Sequence, residues 1–504
     1  MCALDWAVAA FAFALGLWGN TGPSPWTDEI VTMDVARRSW SQLFTLVGRV
    51  DAVHALHYAV MHLVGQVTSV TEFTMRVPSA AAIAVAVAGT ARLGRSLAGP
   101  RLGVWAGPAL AVAPTASRYA QEGRSFAFAM AAAVLATGAL VKVLGSDVRR
   151  RRLVEYALCV ALLGWFNVIG LLLIPAHLTT VTWLRPGRRA TLGVLTAQAT
   201  GTAAVTPLLI VGVCQRSAVG EAPPVSAGTP VAFLSWLLTP GQDTLLPALR
   251  ILLLSSVLVA CLAQLVRRRG TPSVVWAVGV PWLAVPPALL ALAAVIQPVF
   301  AYRYLLLCLP ALALLLASGL LHLPWPARMA LVLTMSAPLV LSHRAIRLEE
   351  SRPWDTKAAV RILHAHGAPE DTVLFTGARC GLISTAYHEA FAGRTDLGRS
   401  RTAAEANGLD DLPAPSDTLA HRLAHSPRVW HIACTHLSAD AGPAAERAAA
   451  QEQRIRAAGL RPFRHFKVRG IELTLEIRPG PHMRDGRVHA DDGASDARDI
   501  IVRR

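Results

Sequence analysis

Charge is scarce in this chain: Asp, Glu, Lys and Arg account for 16% of its 504 residues, against 53% hydrophobic. Apolar runs recur from residue 3 to about residue 342, and mean hydropathy is +0.43. Runs of that kind point to a polytopic α-helical membrane protein, because a spanning backbone must satisfy its own hydrogen bonds. Acids are scarcer than bases, 32 against 48, for a formal charge of +16. The excess does not signal nucleic acid as a partner, since many of the Lys and Arg fall in short clusters between apolar runs, where they set topology. The seven cysteines show no CxxC pair and no zinc-like spacing, which argues against a thiol-ligated metal site. Cys159, Cys261 and Cys308 lie inside apolar runs and read as small hydrophobes. Cys380 and Cys434 lie in the polar C-terminal part, where a disulfide requires an approach that sequence does not show. Internal repeats and long low-complexity segments are absent as well.

The first apolar segment, Leu4 to Gly19, has Asp5 where a signal peptide carries basic residues, and it has no convincing A-x-A cleavage site. It is expected to remain as a first span. Further spans are expected at Phe73–Arg92, Leu102–Arg118, Ser125–Leu144, Ala190–Val213, Leu245–Val266, Thr271–Ile296, Tyr304–Leu321 and Ala327–Ser342. Between Leu153 and Leu184 only about 32 residues, roughly 48 Å of helix, are available, which suits two short or partly re-entrant helices. The total is about eleven transmembrane helices. Arg92, Arg95 and Arg101, the run Arg149–Arg152, and the clusters Arg185–Arg189 and Arg267–Arg269 belong on the cytoplasmic side of the cell membrane. That puts the amino terminus inside, residues 20–72 outside as a first outer loop, and the carboxyl terminus outside. Val231–Leu238 is too short to span and is expected at the interface.

Residues 1–343 thus read as a transmembrane module. From there the composition changes: Thr356–His366 has helical periodicity, and Thr372–Phe375, Arg428–Ala433 and Ile471–Ile477 are strand-like. Residues 344–478 are therefore expected to form a small extracytoplasmic α/β domain. The tail, 479–504, has too few apolar residues to order itself.

Against this background the stretch Trp26–His62 stands out. It holds Asp28, Glu29, Asp34, Asp51, His54, His57 and His62 at a membrane edge, where charge usually marks a site. On a helix, His54, His57, Tyr58 and Met61 share a face. Two more polar groups face outward in the expected topology, Ser117–Phe126 (SRYAQEGRSF) and Gln297–Tyr304 (QPVFAYRY). The paired acids, the Asp51–His62 segment and these two connections should converge on one outer face.

In this order the motifs resemble those of the actinobacterial polyprenyl-phosphate-mannose-dependent mannosyltransferases, which have the glycosyltransferase C fold and are related to protein O-mannosyltransferases. WTDE (26–29) resembles their first-loop acidic motif, and DAVHALHYAVMH (51–62) their D-x-x-H-x-x-x-Y pattern. RVPSA (76–80) is similar to their R-x-P-S-A, QEGRSF (121–126) to their Q-E-A-R-x-Y, and YRY (302–304) to their late R-Y-L motif. The resemblance covers about residues 1–345. Gly123 replaces the usual Ala, Phe126 the usual Tyr, and His57 an apolar or aromatic residue.

The resemblance implies transfer of a sugar, mannose above all, from a polyprenyl-phosphate donor to a hydroxyl on a protein, glycolipid or polysaccharide, at the outer face of the bilayer. A lipid-linked sugar phosphate already carries a good leaving group, so one base suffices and the anomeric centre inverts. That base would be Asp28, with Glu29 the second candidate. Arg124, Arg118 and Arg303 would bind the donor phosphate. Asp51, His54, His57, Tyr58, Gln121, Glu122 and Tyr302 would face sugar or acceptor. Asp51, His54 and His57 also offer the ligand types of a divalent metal, but His at a membrane interface more often packs or hydrogen-bonds, and no metal or other cofactor is expected.

Plainer readings exist for each. Asp28 and Glu29 also fit a solvated loop pair, Arg76 and Arg118 snorkelling residues, Arg124 and Glu122 a structural ion pair, and Tyr302 and Tyr304 interfacial anchors. The competing functions are arabinofuranosyl or other pentosyl transfer from a decaprenyl-phosphate donor, a transporter or flippase of a lipid-linked substrate, and a non-catalytic scaffold. A transporter should carry polar residues mid-span on broken helices in two corresponding halves, whereas these acids cluster in outer loops.

Overall fold

The computed structural model describes residues 2–145, 148–215, 225–239, 255–256, 259, 273–297, 299–377, 379–434 and 441–479. The expected span Leu245–Val266, the basic cluster Arg267–Arg269 and the tail beyond residue 479 lie outside the described residues. The chain divides into two compact units, Met1–Lys357 with Thr402–Asp411, and Ala358–Arg401 with Leu412–Arg504.

The first unit is helical. In chain order its helices are α1 (Ala3–Leu17), α2 (Thr27–Arg37), α3 (Trp40–Arg49), α4 (Ala55–Val67), α5 (Glu72–Ala98), α6 (Pro100–Ala111), α7 (Pro114–Ala120) and α8 (Phe126–Leu144). They continue with α9 (Arg150–Phe166), α10 (Leu173–Leu184), α11 (Arg188–Ala203), α12 (Thr206–Cys214), α13 (Thr229–Leu238), α14 (Val274–Ala294), α15 (Leu309–His322) and α16 (Trp325–Ala345). Among the described residues five helices are long and apolar enough to cross a membrane, or six if the bent pair α11 and α12 is one span. The count of about eleven is not reached by that measure. Ala3–Leu17, Val168–Leu184 and Thr229–Leu238 are apolar but shorter.

Local sequence explains several boundaries. The expected single span Leu102–Arg118 is broken into α6 and α7, because Pro114 pushes Ala113 out of helical geometry, to φ −65°, ψ 121°. The expected span Ala190–Val213 bends by 50° between α11 and α12, where Pro207 enters the second helix near its start. The stretch Leu153–Leu184 does hold two short helices, α9 and α10, joined through a 3-10 turn at Val168–Leu172. Gly99, at φ +84°, reverses the chain between α5 and α6. The two helices then pack closely, since a Cβ at Gly103 would lie 2.5 Å from the Ala91 carbonyl oxygen.

Antiparallel packing separates the basic residues from the acidic loop. Asp5, near the start of α1, is fully buried and pairs with Arg95, near the end of α5. At the other ends of these helices Gly16 meets Ala80. The amino terminus and the Arg92–Arg101 cluster therefore share one end of the bundle, and the loop 18–71 leaves from the opposite end. Lys142 and Glu155 pair where α8 hands over to α9, beside the run Arg149–Arg152, while the other end of α8 meets the 121–125 loop.

A polar chain crosses α8 to α11. The Thr137 hydroxyl donates to the Ala133 carbonyl at 2.8 Å, so it must accept from His177 Nε2 at 3.1 Å. His177 Nδ1 then accepts from the Tyr156 hydroxyl at 2.8 Å, whose oxygen accepts from Gln198 at 2.9 Å.

The second unit is α/β. The chain enters it through α17 (Thr356–His366), within whose first turn the division falls. It contains β1 (Thr372–Thr376), α18 (Leu382–Ala386), β2 (Arg399–Arg401), β3 (Leu412–Pro413), α19 (Ser416–His425), β4 (Arg428–Cys434), α20 (Ala441–Ala457), β5 (Arg461–Val468) and β6 (Ile471–Ile477). Sheet order is β1-β4-β6-β5, with β1 and β4 parallel and the other pairs antiparallel. Leu374, Leu423, Val429, Ile455 and Leu460 form its core. A disulfide joins Cys380 to Cys434, with Cα atoms 5.7 Å apart.

Candidate active site

Asp28 and Glu29 sit in the first turn of α2, where carboxylates suit the helix dipole. They serve different partners. Glu29 is 3% exposed; its oxygens accept from Arg76 Nε at 2.8 Å and Nη2 at 3.0 Å, and Oε1 also accepts the Gly123 N–H at 3.0 Å. Arg76 spends its remaining nitrogen on the carbonyls of Asn20 and Pro23, at 2.5 and 3.1 Å. A bidentate, buried pair of this kind is a clamp. Both oxygens of Glu29, the second candidate base, are thus engaged within the fold, and Arg76, 1% exposed, points inward to them rather than to solvent.

The other side of the same loop is held by His57. Its ring is fully buried, donates from Nε2 to the Gly123 carbonyl at 3.1 Å, and packs edge-on against Phe128. His57 thus meets loop backbone through Nε2, while Nδ1 has no hydrogen-bond partner among the described residues. The Gly at 123 has a reason too, because a Cβ there would lie 3.2 Å from the Met75 carbonyl oxygen. Gln121 is also fully buried; it donates to the carbonyls of Trp18 at 2.7 Å and Gly16 at 3.3 Å and secures the end of α1.

Arg124 joins the loop to Asp28. Its Nη1 donates to the Asp28 carbonyl at 3.5 Å, and Nη2 lies 3.8 Å from Asp28 Oδ2 and 3.0 Å from His54 Nε2. A guanidinium only donates, so His54 Nε2 accepts and Nδ1–H donates to Ser125 Oγ at 3.2 Å. Burial, then the Arg124 charge, holds the His54 pKa down to about 4, against the opposing pull of Asp51 and Asp28. Asp51 adopts φ 62°, a left-handed geometry that Asp tolerates, and accepts from the Tyr58 hydroxyl. Burial and the Asp51 charge push the Tyr58 phenol well above its usual range. Asp51, His54, Tyr58 and Arg124 therefore form one network ending on Asp28. Both His54 nitrogens are committed in it, and among the described residues no three His, Cys, Asp or Glu gather as a metal site. The remaining members of the sequence stretch are structural in geometry: Asp34 pairs with Arg38 at 2.5 Å, and His62 packs edge-on against Trp40.

A cavity of about 250 Å³ opens beside the first turn of α2. Arg118, Tyr119 and Glu122 line it from α7 and the following loop, Ala301, Tyr302 and Arg303 from the start of the 3-10 turn before α15, with Trp26, Trp236 and Pro353 completing the wall. Arg303 stacks over Trp26 and Tyr304, 5.7 and 5.5 Å from the ring centroids. Tyr302 stacks on Trp236 at 5.9 Å, Tyr119 meets Trp236 edge-on at 5.8 Å, and the Thr115 hydroxyl fixes α13 by donating to the Trp236 carbonyl at 2.9 Å. Arg118 Nη2 is 3.7 Å from Glu122 Oε2.

Of the expected phosphate-binding set, Arg118 and Arg303 line the cavity, and Arg124 does not. Of the expected sugar- or acceptor-facing residues, Glu122 and Tyr302 do. Trp26 and Tyr119 lie in stretches singled out by sequence but were given no role there, and Trp236 was not singled out; the signal of all three was aromatic side chains at the expected membrane interface, in a chain only 6% aromatic.

No family model matches the chain, and no curated protein matches it. Solved structures do. ArnT from Cupriavidus metallidurans in the apo state is 13% identical, covering 94% of this chain and 97% of that one at TM-score 0.54. The same protein bound to undecaprenyl phosphate is 12% identical over 94% and 98%, at 0.52. The Archaeoglobus fulgidus oligosaccharyltransferase in the apo form is 12% identical over 84% and 69%, at 0.47. At these identities the likeness speaks to fold, and the chain has the glycosyltransferase C fold of the ArnT structures.

Proposed function

We propose that this protein is an integral membrane glycosyltransferase that moves a sugar, mannose in our reading, from a polyprenyl-phosphate donor to a hydroxyl acceptor outside the cytoplasm. One observation carries the reading: two guanidinium groups, Arg118 and Arg303, stand in an aromatic-walled cavity beside Asp28, in a fold shared with a protein solved bound to undecaprenyl phosphate. Positive charge in a low-dielectric wall suits a departing phosphate. The aromatic faces of Trp236 and Tyr302 suit the adjoining lipid. The disulfide supports an extracytoplasmic C-terminal unit.

In the proposed reaction the acceptor oxygen attacks C1 of the sugar from the side opposite the phosphate. The C1–O bond to phosphate breaks, the acceptor proton passes to Asp28, and the polyprenyl phosphate leaves with its charge facing Arg118 and Arg303. The anomeric centre inverts. Arg124 positions Asp28, and His54, Tyr58 and Asp51 hold Arg124. Glu29, through Arg76 and Gly123, sets the loop that carries Glu122 and Arg124. The acceptor class, whether protein Ser or Thr, glycolipid or polysaccharide, belongs to the same proposal.

The test is transfer of radiolabelled mannose from polyprenyl-phosphate-mannose into a membrane acceptor fraction. Asp28→Asn should lower transfer by about 100-fold or more with donor binding retained. Equal transfer by both proteins removes Asp28 from the reaction. Transfer only from a pentose donor replaces mannose, and movement of the lipid across the bilayer without transfer replaces the enzyme by a transporter.

A further inference from the structure

Among the described residues Glu122 is the one acid in the cavity wall, and it is placed oddly for a site that binds an anion. The residue is 1% exposed, one carboxyl oxygen lies 3.7 Å from Arg118, and Oε1 has no hydrogen-bond partner among the described residues. A buried carboxylate with an unmade bond, facing a phosphate, would cost both desolvation and like-charge repulsion. A carboxylic acid in the same place avoids the repulsion, lessens the desolvation cost, and has an O–H that can donate to a phosphate oxygen.

Resting on the donor reading above, we infer that Glu122 enters the site as a neutral acid and donates its proton in a hydrogen bond to a phosphate oxygen of the lipid-linked ligand held by Arg118 and Arg303. Binding is then competent only while that proton is present. Burial, ahead of the mixed charges around it, favours this state. Arg118 on α7 and Arg124 on its own loop favour ionisation, while Glu29 and Asp28 on α2 oppose it. Arg303, also in the cavity wall, is stacked between Trp26 and Tyr304, and Arg76 is consumed by Glu29. Burial is the largest influence, and together these push Glu122 up to about 7.

The consequence is a binding affinity for lipid phosphate that falls as pH rises through neutrality. If only the protonated site binds, moving from pH 6 to pH 8.5 removes about 30-fold in affinity, from the fall in the competent fraction. The probe is undecaprenyl phosphate, titrated into the full chain in lipid nanodiscs across that range. The ligand's own second ionisation affects every variant alike, so the ratio of wild type to variant isolates Glu122.

Glu122→Gln keeps a donor and cannot ionise; it should bind at pH 8.5 about as well as at pH 6, apart from the ligand's own effect, and lose the wild-type slope. Asp28→Asn removes a neighbouring negative charge and should move the wild-type midpoint to lower pH, which tests the idea without touching Glu122. Parallel pH profiles for wild type and both variants overturn the inference while leaving the donor reading intact. No binding at any pH by wild type overturns both.

Discussion

An α-helix turns by about 100° per residue, so adjacent side chains point in different directions. That is why Asp28 and Glu29, indistinguishable as a pair in sequence, part company: one meets Arg124, the other Arg76 and the Gly123 N–H. Removing one member of a buried pair leaves the other charge stranded, so Arg76→Met should cost about 3–5 kcal/mol, read as a lower thermal midpoint and poorer folded yield. Two groups of the site titrate in opposite senses. His54, depressed to about 4 from 6.5, contributes stability that is present above 6.5 and lost as pH falls through 4. Glu122, raised to about 7 from 4.5, contributes stability that is present below 4.5 and lost as pH rises through 7. Between 4.5 and 6.5 the slopes oppose each other, so Glu122→Gln should leave a protein whose thermal midpoint rises more steeply with pH there than that of wild type.

Among the elements, short helices do more for the site than long spans. α7 exists as a separate piece because of Pro114, and that break lets Arg118 and Tyr119 line the cavity near the loop carrying Glu122. α13, ten residues long, was legible as too short to span, yet nothing in its sequence marked Trp236 as cavity lining; that depended on the Thr115 bond and the stacking of Tyr302. Trp236→Ala should weaken undecaprenyl phosphate binding by up to roughly 10-fold, with kcat nearly unchanged, because aromatic contact contributes about 0.5–1.5 kcal/mol. A fall in kcat without loss of binding would remove α13 from the donor wall. In the second unit β1, β4 and β6 were legible because their apolar residues are dense. β5, RPFRHFKV, was not: it is a largely exposed edge strand whose charges suit that position.

For the whole molecule, the Cys380–Cys434 link closes a loop between residues 54 apart. Replacing both by Ser should destabilise the second unit by about 4 kcal/mol, seen as an earlier unfolding transition that reductant reproduces in wild type and does not change in the variant. What the sequence determined by itself is the class of protein, the order of most apolar helices, and the stretches from which the site is built. Those follow from runs of hydrophobicity and from charge at membrane edges, which are local properties. Which of the expected residues reach the cavity was decided only by tertiary packing. Gln121, His57 and Glu29 look as fit for a ligand as Glu122, but buried backbone polar groups must find partners, and these three meet the carbonyls of Gly16, Trp18 and Gly123 and the Gly123 N–H, with Gln121 Oε1 and His57 Nδ1 left without a partner among the described residues. Glu122 lines the cavity instead, and no local pattern distinguishes the residue that closes the scaffold from the one that stands in the cavity wall.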